Sequence, residues 1–295
     1  MRPKELGALF LLGALWGASF PFIRVAVHDF GPFALVAARV TLAAVVLAGY
    51  VWISGNSLKI RPWWRQFLLL GAISVALPFT LISAAEVNIT ASLAAILNST
   101  TVFFTAIIAA FWLGDPLTGR KLLGIVLGIS GVGILVGWDP QPLNGIVLLS
   151  VFAVLGASLA YGISGVYAKK TFSGLPPASM AVGQLSMAGA IMLPVTAARP
   201  PVELPSTAAT LCLLGLALLS TSLAYLLFFY LLENAGPTST SSVTLIVPVF
   251  GLLLGVVFLG EPVGIGTLVG FLIILTSVAL VTGARLPTRS PEKLS

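Results

Sequence analysis

Charge is what this sequence has least of. Asp, Glu, Lys and Arg make up 8% of its 295 residues, about a third of the share in a water-soluble domain. So few polar side chains cannot cover a water-facing surface. That excludes an ordinary soluble domain and leaves lipid to solvate the rest. Cysteine is nearly absent too: the single Cys212 has no internal disulfide partner and, in an apolar run, reads as a small buried hydrophobe. The one histidine, His28, has no companion ligands, so no metal site is expected. HExxH, DxD-type and CxxC patterns are missing, as is any Ser/His/Asp set. No catalytic residue is expected, and an embedded enzyme is disfavoured. Nor do the apolar runs alternate with polar residues as barrel strands would.

What is abundant is apolar length. Hydrophobic residues make up 58% of the chain. Ten runs approach the about 20 residues that a spanning helix needs: 6–27, 32–53, 66–85, 90–113, 121–138, 144–168, 177–197, 207–232, 238–259 and 265–283. Most connections are short and rich in Gly, Pro and Asn, as helix–helix turns require. Met1-Arg2-Pro3-Lys4 before an apolar run imitates a signal peptide, but the run is long and others follow, so a retained first helix is expected. The predicted fold class is an all-α membrane protein with ten transmembrane helices. The formal charge of +6 is spread between the runs rather than gathered in one patch, which argues for a topology signal and against nucleic acid. With the N-terminus inside, Arg2, Lys4, Lys59, Arg61, Arg65, Arg120, Lys121, Lys169, Lys170, Arg285, Arg289 and Lys293 fall inside, and Arg24 and Arg199 outside. By the positive-inside rule both termini are cytoplasmic.

The chain also repeats itself. Residues 84–137 moved forward by 146 positions land on 230–283 without a gap: Asn88 on Asn234, Phe104 on Phe250, Leu113-Gly114-Asp115-Pro116 on Leu259-Gly260-Glu261-Pro262, and Gly124 on Gly270. At an offset of 145, Trp16-Gly17-Ala18-Ser19 meets Tyr161-Gly162-Ile163-Ser164. Two units follow, 1–139 and 140–295, the second ending in a cytoplasmic tail. Each has five spans, an odd number, so the second is inverted relative to the first. Inverted repeats are a transporter design, because exchanging the two units' conformations turns an inward-open state into an outward-open one.

These residues carry a resemblance. Leu15-Trp16-Gly17-Ala18-Ser19-Phe20, Arg39, Ala91-Ser92-Leu93-Ala94-Ala95, the duplicated Leu-Gly-acid-Pro corner, Gly124 with Gly131, and Pro248 together resemble the drug/metabolite transporter superfamily, in its ten-helix branch with two EamA domains. Within it the chain looks most like bacterial amino-acid exporters, including those for aromatic amino acids. The resemblance implies a multi-pass protein of the bacterial cytoplasmic (inner) membrane that exports small metabolites. Val102 stands where the first copy would carry the counterpart of Pro248, so the fourth helix is expected to be unkinked.

The two units are expected to enclose a midplane substrate cavity lined by Trp16, Ser19, Pro78, Asn98, Thr101, Tyr161, Ser164, Tyr225 and Thr244. Pro78 and Pro248 each free a backbone carbonyl four residues earlier, which a ligand or simply a neighbouring helix satisfies. Asn98, Thr101 and Thr105 share one helical face, with Thr244 equivalent to Asn98. Such groups bind an ammonium or a carboxylate, or else glue helices together. Trp16 and Tyr161 lie away from the interfacial belts, and their ring faces suit a cation or an aromatic side chain; Phe20, Tyr167, Tyr225, Phe228 and Phe229 complete the aromatic set. Arg39, the one deep charge, is assigned a structural or gating pair with Glu86 in preference to a substrate carboxylate, and Gln184 is its inverted counterpart. Asp115 and Glu261 read as helix-end caps.

Export of amino acids by alternating access is therefore the expected function. Cationic drugs or nucleosides are the alternative cargo, and an assembly subunit, an embedded enzyme or a channel the alternative classes. Every acid falls at a helix end, in a loop or in a tail, and arginine does not give up its proton. A facilitator or exchanger without a cofactor is expected. The expected partners are a small-molecule substrate and the bilayer; the oligomeric state stays open, and a monomer would suffice.

Overall fold

The computed structural model describes residues 2–55, 58–138, 143–198 and 204–283. Arg199, Arg285, Arg289 and Lys293, placed above by charge, lie outside that set, as do the acids Asp139, Glu203 and Glu292. The described secondary structure is helical. In chain order it runs α1 (Pro3–Gly17) and α2 (Ser19–Ile53); α3 (Trp64–Gly71), a π-helical turn (Ala72–Ala76) and α4 (Leu77–Ala85); α5 (Ala91–Asn98) and α6 (Thr101–Leu113); and α7 (Gly119–Gly137). The second half follows with α8 (Gly145–Thr171) and α9 (Pro177–Ala197); α10 (Thr207–Leu214), a longer π-helical stretch (Gly215–Leu223) and α11 (Ala224–Asn234); α12 (Gly236–Ser241) and α13 (Val243–Leu259); and α14 (Ile265–Thr282).

Nine helical stretches among the described residues are long and apolar enough to cross a membrane. The first is 51 residues, Pro3–Ile53, about 77 Å if straight and far beyond the about 30 Å of a hydrocarbon core. It is two crossings. Gly31 breaks it with φ 71 and ψ 162, a left-handed backbone that glycine adopts without strain, and Pro32 restarts the helix. Contacts confirm the reversal. Phe22 packs on Gly215 while Arg39 bonds Thr221. These partners are six residues apart on one crossing, although 17 residues separate Phe22 from Arg39. The chain thus crosses ten times, with α1 and the start of α2 as crossing 1 and the rest of α2 as crossing 2. Crossings 3 to 10 begin at α3, α5, α7, α8, α9, α10, α12 and α14.

The contacts repeat as the sequence does. An added Cβ on Gly17 would come within 2.6 Å of Phe250 Cβ and 2.9 Å of the Gly251 nitrogen; on Gly162, within 3.0 Å of Phe104 Cβ and 2.9 Å of the Thr105 nitrogen. Those partners differ by 146 positions, and only a residue without a side chain lets two backbones approach so closely. Likewise Gly124 faces Val281, and Gly270 faces Leu135. The π-helical segments coincide too, since 72–76 maps onto 218–222. Crossings 1 and 9 pair as crossings 6 and 4 do, and crossings 5 and 10 pair with each other. The beginning of α1 and the end of α14 lie at one end of the bundle, hereafter the terminal face. Phe111, Phe258, Leu149 and Trp52 stand exposed on the outside, as lipid-facing side chains do.

An unkinked fourth crossing is not what forms. It breaks at Ser99–Thr100, between α5 and α6. There the hydroxyls of Ser99, Thr100 and Thr101 donate to the carbonyls of Ile96, Leu97 and Asn98, and the Val102 and Phe103 N–H groups reach only three residues back. Three consecutive hydroxyls competing for carbonyls interrupt a helix without proline. Crossing 9 breaks at Ser242, six residues ahead of Pro248, which lies inside α13.

Candidate substrate site between the repeats

Arg39 lies eight residues below the Gly31 break, at a depth of about 12 Å, and is 5% exposed. Its Nε–H donates to Thr221 Oγ1 at 3.0 Å, and its guanidinium sits 4.1 Å from the centroid of the Phe79 ring. The Thr221 hydroxyl in turn donates to the Leu216 carbonyl, five residues back in the π-helical stretch. The inverted counterpart of this arrangement is present. Gln184 on α9 lies 2.8 Å from Ser74 Oγ in the other π-helical turn and 3.0 Å from the Tyr225 hydroxyl. Ser74 also reaches the Leu70 carbonyl at 2.6 Å and has one proton to give. The Gln184 oxygen faces the Ser74 hydroxyl, which it shares with the Leu70 carbonyl, and the Gln184 amide nitrogen donates to the Tyr225 hydroxyl. The π-helical segments thus present hydroxyls to the mid-membrane polar residues of crossings 2 and 7.

The pairing of Arg39 with Glu86 does not form. Among the described residues Arg39 holds Thr221 and Phe79, and only its Nε–H finds a protein acceptor. Glu86 ends crossing 3 a whole helical segment nearer the far face, where Arg24 donates to its main-chain carbonyl. Packing, not charge, decides this: Arg39 faces crossing 8, which packs directly on α2.

From Arg39 an aromatic wall spreads through both repeats. Phe79 meets Tyr161 edge-on at 6.5 Å between centroids. On the other side Tyr225, Phe229, Phe228 and Trp16 follow one another at 5.7–5.9 Å. Asn98 joins through crossing 6, where Ser158, one turn before Tyr161, donates to its carbonyl at 3.4 Å. The side-chain oxygen of Asn98 is buried and has no hydrogen-bond partner. Trp16, Asn98, Tyr161, Tyr225 and Arg39 are thereby linked. Pro78, buried beside Phe79, follows the π-helical turn that accommodates it.

The remaining hydroxyls are turned elsewhere. Ser19 donates to the Trp16 carbonyl and Ser164 to the Tyr161 carbonyl, the same bond in each repeat. Thr101 donates to the Asn98 carbonyl and Thr244 to the Ser241 carbonyl. Their protons are committed to the backbone, which makes them helix-shaping groups in this conformation. Phe79, Thr221 and Ser74 escape a reading by residue type, because a phenylalanine and two hydroxyls look ordinary in an apolar run. The repeat offset would not have found the two hydroxyls either, because it places Thr221 on Val75 and Ser74 on Ser220, one position away. A groove of about 570 Å³ between α7 and α8, lined by Val132, Val136, Leu148 and Phe152 among others, is apolar and separate from this site.

The far side of the site is closed by one acid. Glu261, between α13 and α14, accepts from the backbone N–H groups of Ala91 (2.7 Å) and Ser92 (2.9 Å) and from Ser92 Oγ (2.6 Å). It caps a helix of the other repeat. Every residue of α5 from Ala91 to Leu97 is buried, whereas α6 buries only Phe103 and Ala109. Crossing 4 is thus enclosed towards the far face and more open towards the terminal face.

This architecture can be compared with known proteins. The EamA-like transporter family matches residues 4–137 and again 148–283. The chain belongs to that family. Similar to it over nearly the whole length are the uncharacterized transporter YvbV of Bacillus subtilis (26% identity, 95% of this chain and 92% of that one) and the uncharacterized inner membrane transporter YedA of Escherichia coli (26%, 96% and 93%). Also similar is a probable terminal-alkyne amino-acid exporter of Streptantibioticus cattleyicolor (27%, 97% and 96%). A solved crystal structure shares the fold with a TM-score of 0.69 at 17% identity, covering 96% of this chain and 97% of that one. This EamA protein is a multi-pass membrane transporter.

Proposed function

We propose that the protein exports amino acids, aromatic ones included, from the cytoplasm across a bacterial inner membrane, by alternating access at the Arg39–aromatic site. The observation that carries this reading is the pairing of opposite polar demands on one aromatic wall. The Nη donors of Arg39 are left for a carboxylate, and the unpartnered Asn98 oxygen calls for a donor such as an ammonium. Phe79, Tyr161, Trp16 and Phe228 offer faces to an aromatic side chain or a cation. The amino-acid exporter among the similar proteins supports the cargo class. In this orientation the basic terminal face is cytoplasmic, so the more open half of crossing 4 faces the cell interior. Substrate then moves down its own gradient, as a facilitator or exchanger.

Counterflow in proteoliposomes against amino acids, nucleosides and cationic drugs tests this. Trp16→Ala and Asn98→Ala should each lower amino-acid flux at least about tenfold, the rate equivalent of about 1.4 kcal/mol, while the protein remains folded in the membrane. Flux of nucleosides or drugs but not of amino acids would replace the cargo; unaltered flux in both variants would move the site.

A further inference from the structure

We propose that Glu86 is a proton-binding site that locks the bundle shut at the face opposite the termini. Its side chain is 0% exposed, and neither carboxylate oxygen has a hydrogen-bond partner. Glu86 stands at a helix end, as the sequence places it, yet its side chain is enclosed. The charged groups that face it are Glu261, from the connection between α13 and α14, and Arg24 and Arg39, both from α2. Arg24 donates to the Glu86 main-chain carbonyl, and Arg39, held at Thr221 and Phe79, does not reach the Glu86 carboxylate with its Nη groups. Glu261 is a second negative charge, and its position is not negotiable. It receives three hydrogen bonds at the N-terminus of α5, which fix where it sits. An ionised Glu86 would then be a desolvated carboxylate without a donor, beside a like charge, which a protein interior avoids by keeping such a group neutral.

Glu261 belongs to one repeat and its donors to the other. Opening this face must withdraw Glu261 from α5. Water then reaches Glu86, the like charge leaves, Arg24 remains, and Glu86 can release its proton. Closure takes up one proton and opening returns it. The closed form binds that proton more tightly than the open form. Closed over open is therefore greatest at low pH and falls as pH rises, by up to about tenfold per pH unit between the two affinities. The proton enters and leaves on one side, so it regulates the gate without driving uphill transport, in keeping with a facilitator. Calling this face external rests on the orientation proposed above; the gate itself does not.

The test is conformational and needs neither cargo nor sidedness, so it can fail independently of the exporter reading. The full chain in lipid nanodiscs, carrying Cys212→Ala, takes spin labels at Val87→Cys and Val263→Cys, which flank the Glu261–α5 contact. Double electron–electron resonance is recorded from about pH 5 to about pH 9, spanning carboxyl and histidine ranges. The long-distance population should grow with pH in this parent. It should stay small at every pH with Glu86→Gln, whose side chain is neutral throughout. His28→Gln, which removes an exposed titrating group near the same face, should leave the response intact. No response in the parent, an unchanged response in Glu86→Gln, or its loss in His28→Gln would each overturn the proposal.

Discussion

The two ends of the candidate site are built to one plan and finished differently. At the far face Glu261, only 9% exposed, holds Ala91 and Ser92 through three hydrogen bonds. Its repeat equivalent at the terminal face is Asp115, half exposed and 3.9 Å from Lys169. The equivalents of Ala91 and Ser92 are Pro237 and Thr238. Proline has no N–H to offer, and aspartate is one methylene shorter. A terminal-face latch of the same kind would therefore have at most two of the three donors and a shorter reach. Two halves related by an inverted repeat need not be energetically equal. Here one proline and one methylene favour closure at the far face.

Glu261→Ala should break the comparison most. Hydrogen bonds to charged groups contribute about 1.5–3 kcal/mol each, so losing the acceptor should shift the balance at the far face by roughly 3 kcal/mol or more. Spin labels across that face should report an open majority; an unchanged short distance would mean that Glu261 does not hold the gate. Next come Gly17→Leu and Gly162→Leu. Each forces a side chain into a backbone contact shared by the repeats, at roughly 1–3 kcal/mol. Thermal unfolding in detergent should show similar losses for both, whereas one tolerant site would mean that the two contacts are not equivalent.

A smaller change would sharpen the asymmetry. Pro237→Ala with Asp115→Glu restores the missing donor and the missing methylene. It should move the population towards terminal-face closure by about 1.5 kcal/mol, the lower value for one charge-assisted bond. Labels across the terminal face would read that shift, and no change would separate the latch from the preference. Least of all should follow from Lys169→Ala. Its ion pair with Asp115 is long and exposed, and such pairs contribute below about 1 kcal/mol, less in salt. A larger loss in chemical denaturation would mean that Asp115 and Lys169 hold something the static pair does not reveal.

Much of this was legible from residue order because it is local or periodic. The ten crossings follow from apolar length, and a transfer free energy depends on the segment alone. The inverted plan follows from an odd number of spans and an offset of 146, and it maps Gly17 on Phe250 to Gly162 on Phe104. Charge counts carry the proposed orientation, because each basic residue acts at its own loop. What the tertiary structure decided concerns residues far apart in the chain. Arg39 turns to Thr221 and Phe79 and not to Glu86. Three consecutive hydroxyls, not a proline, break the fourth crossing. Glu86, at a helix end in the sequence, is the most enclosed acid among the described residues, because Glu261 from the other repeat closes over the connection that carries it. A duplicated sequence is compatible with closure at either face. The choice between them rests on packing and hydrogen bonds formed across the repeats, which exist only once both repeats have folded against each other.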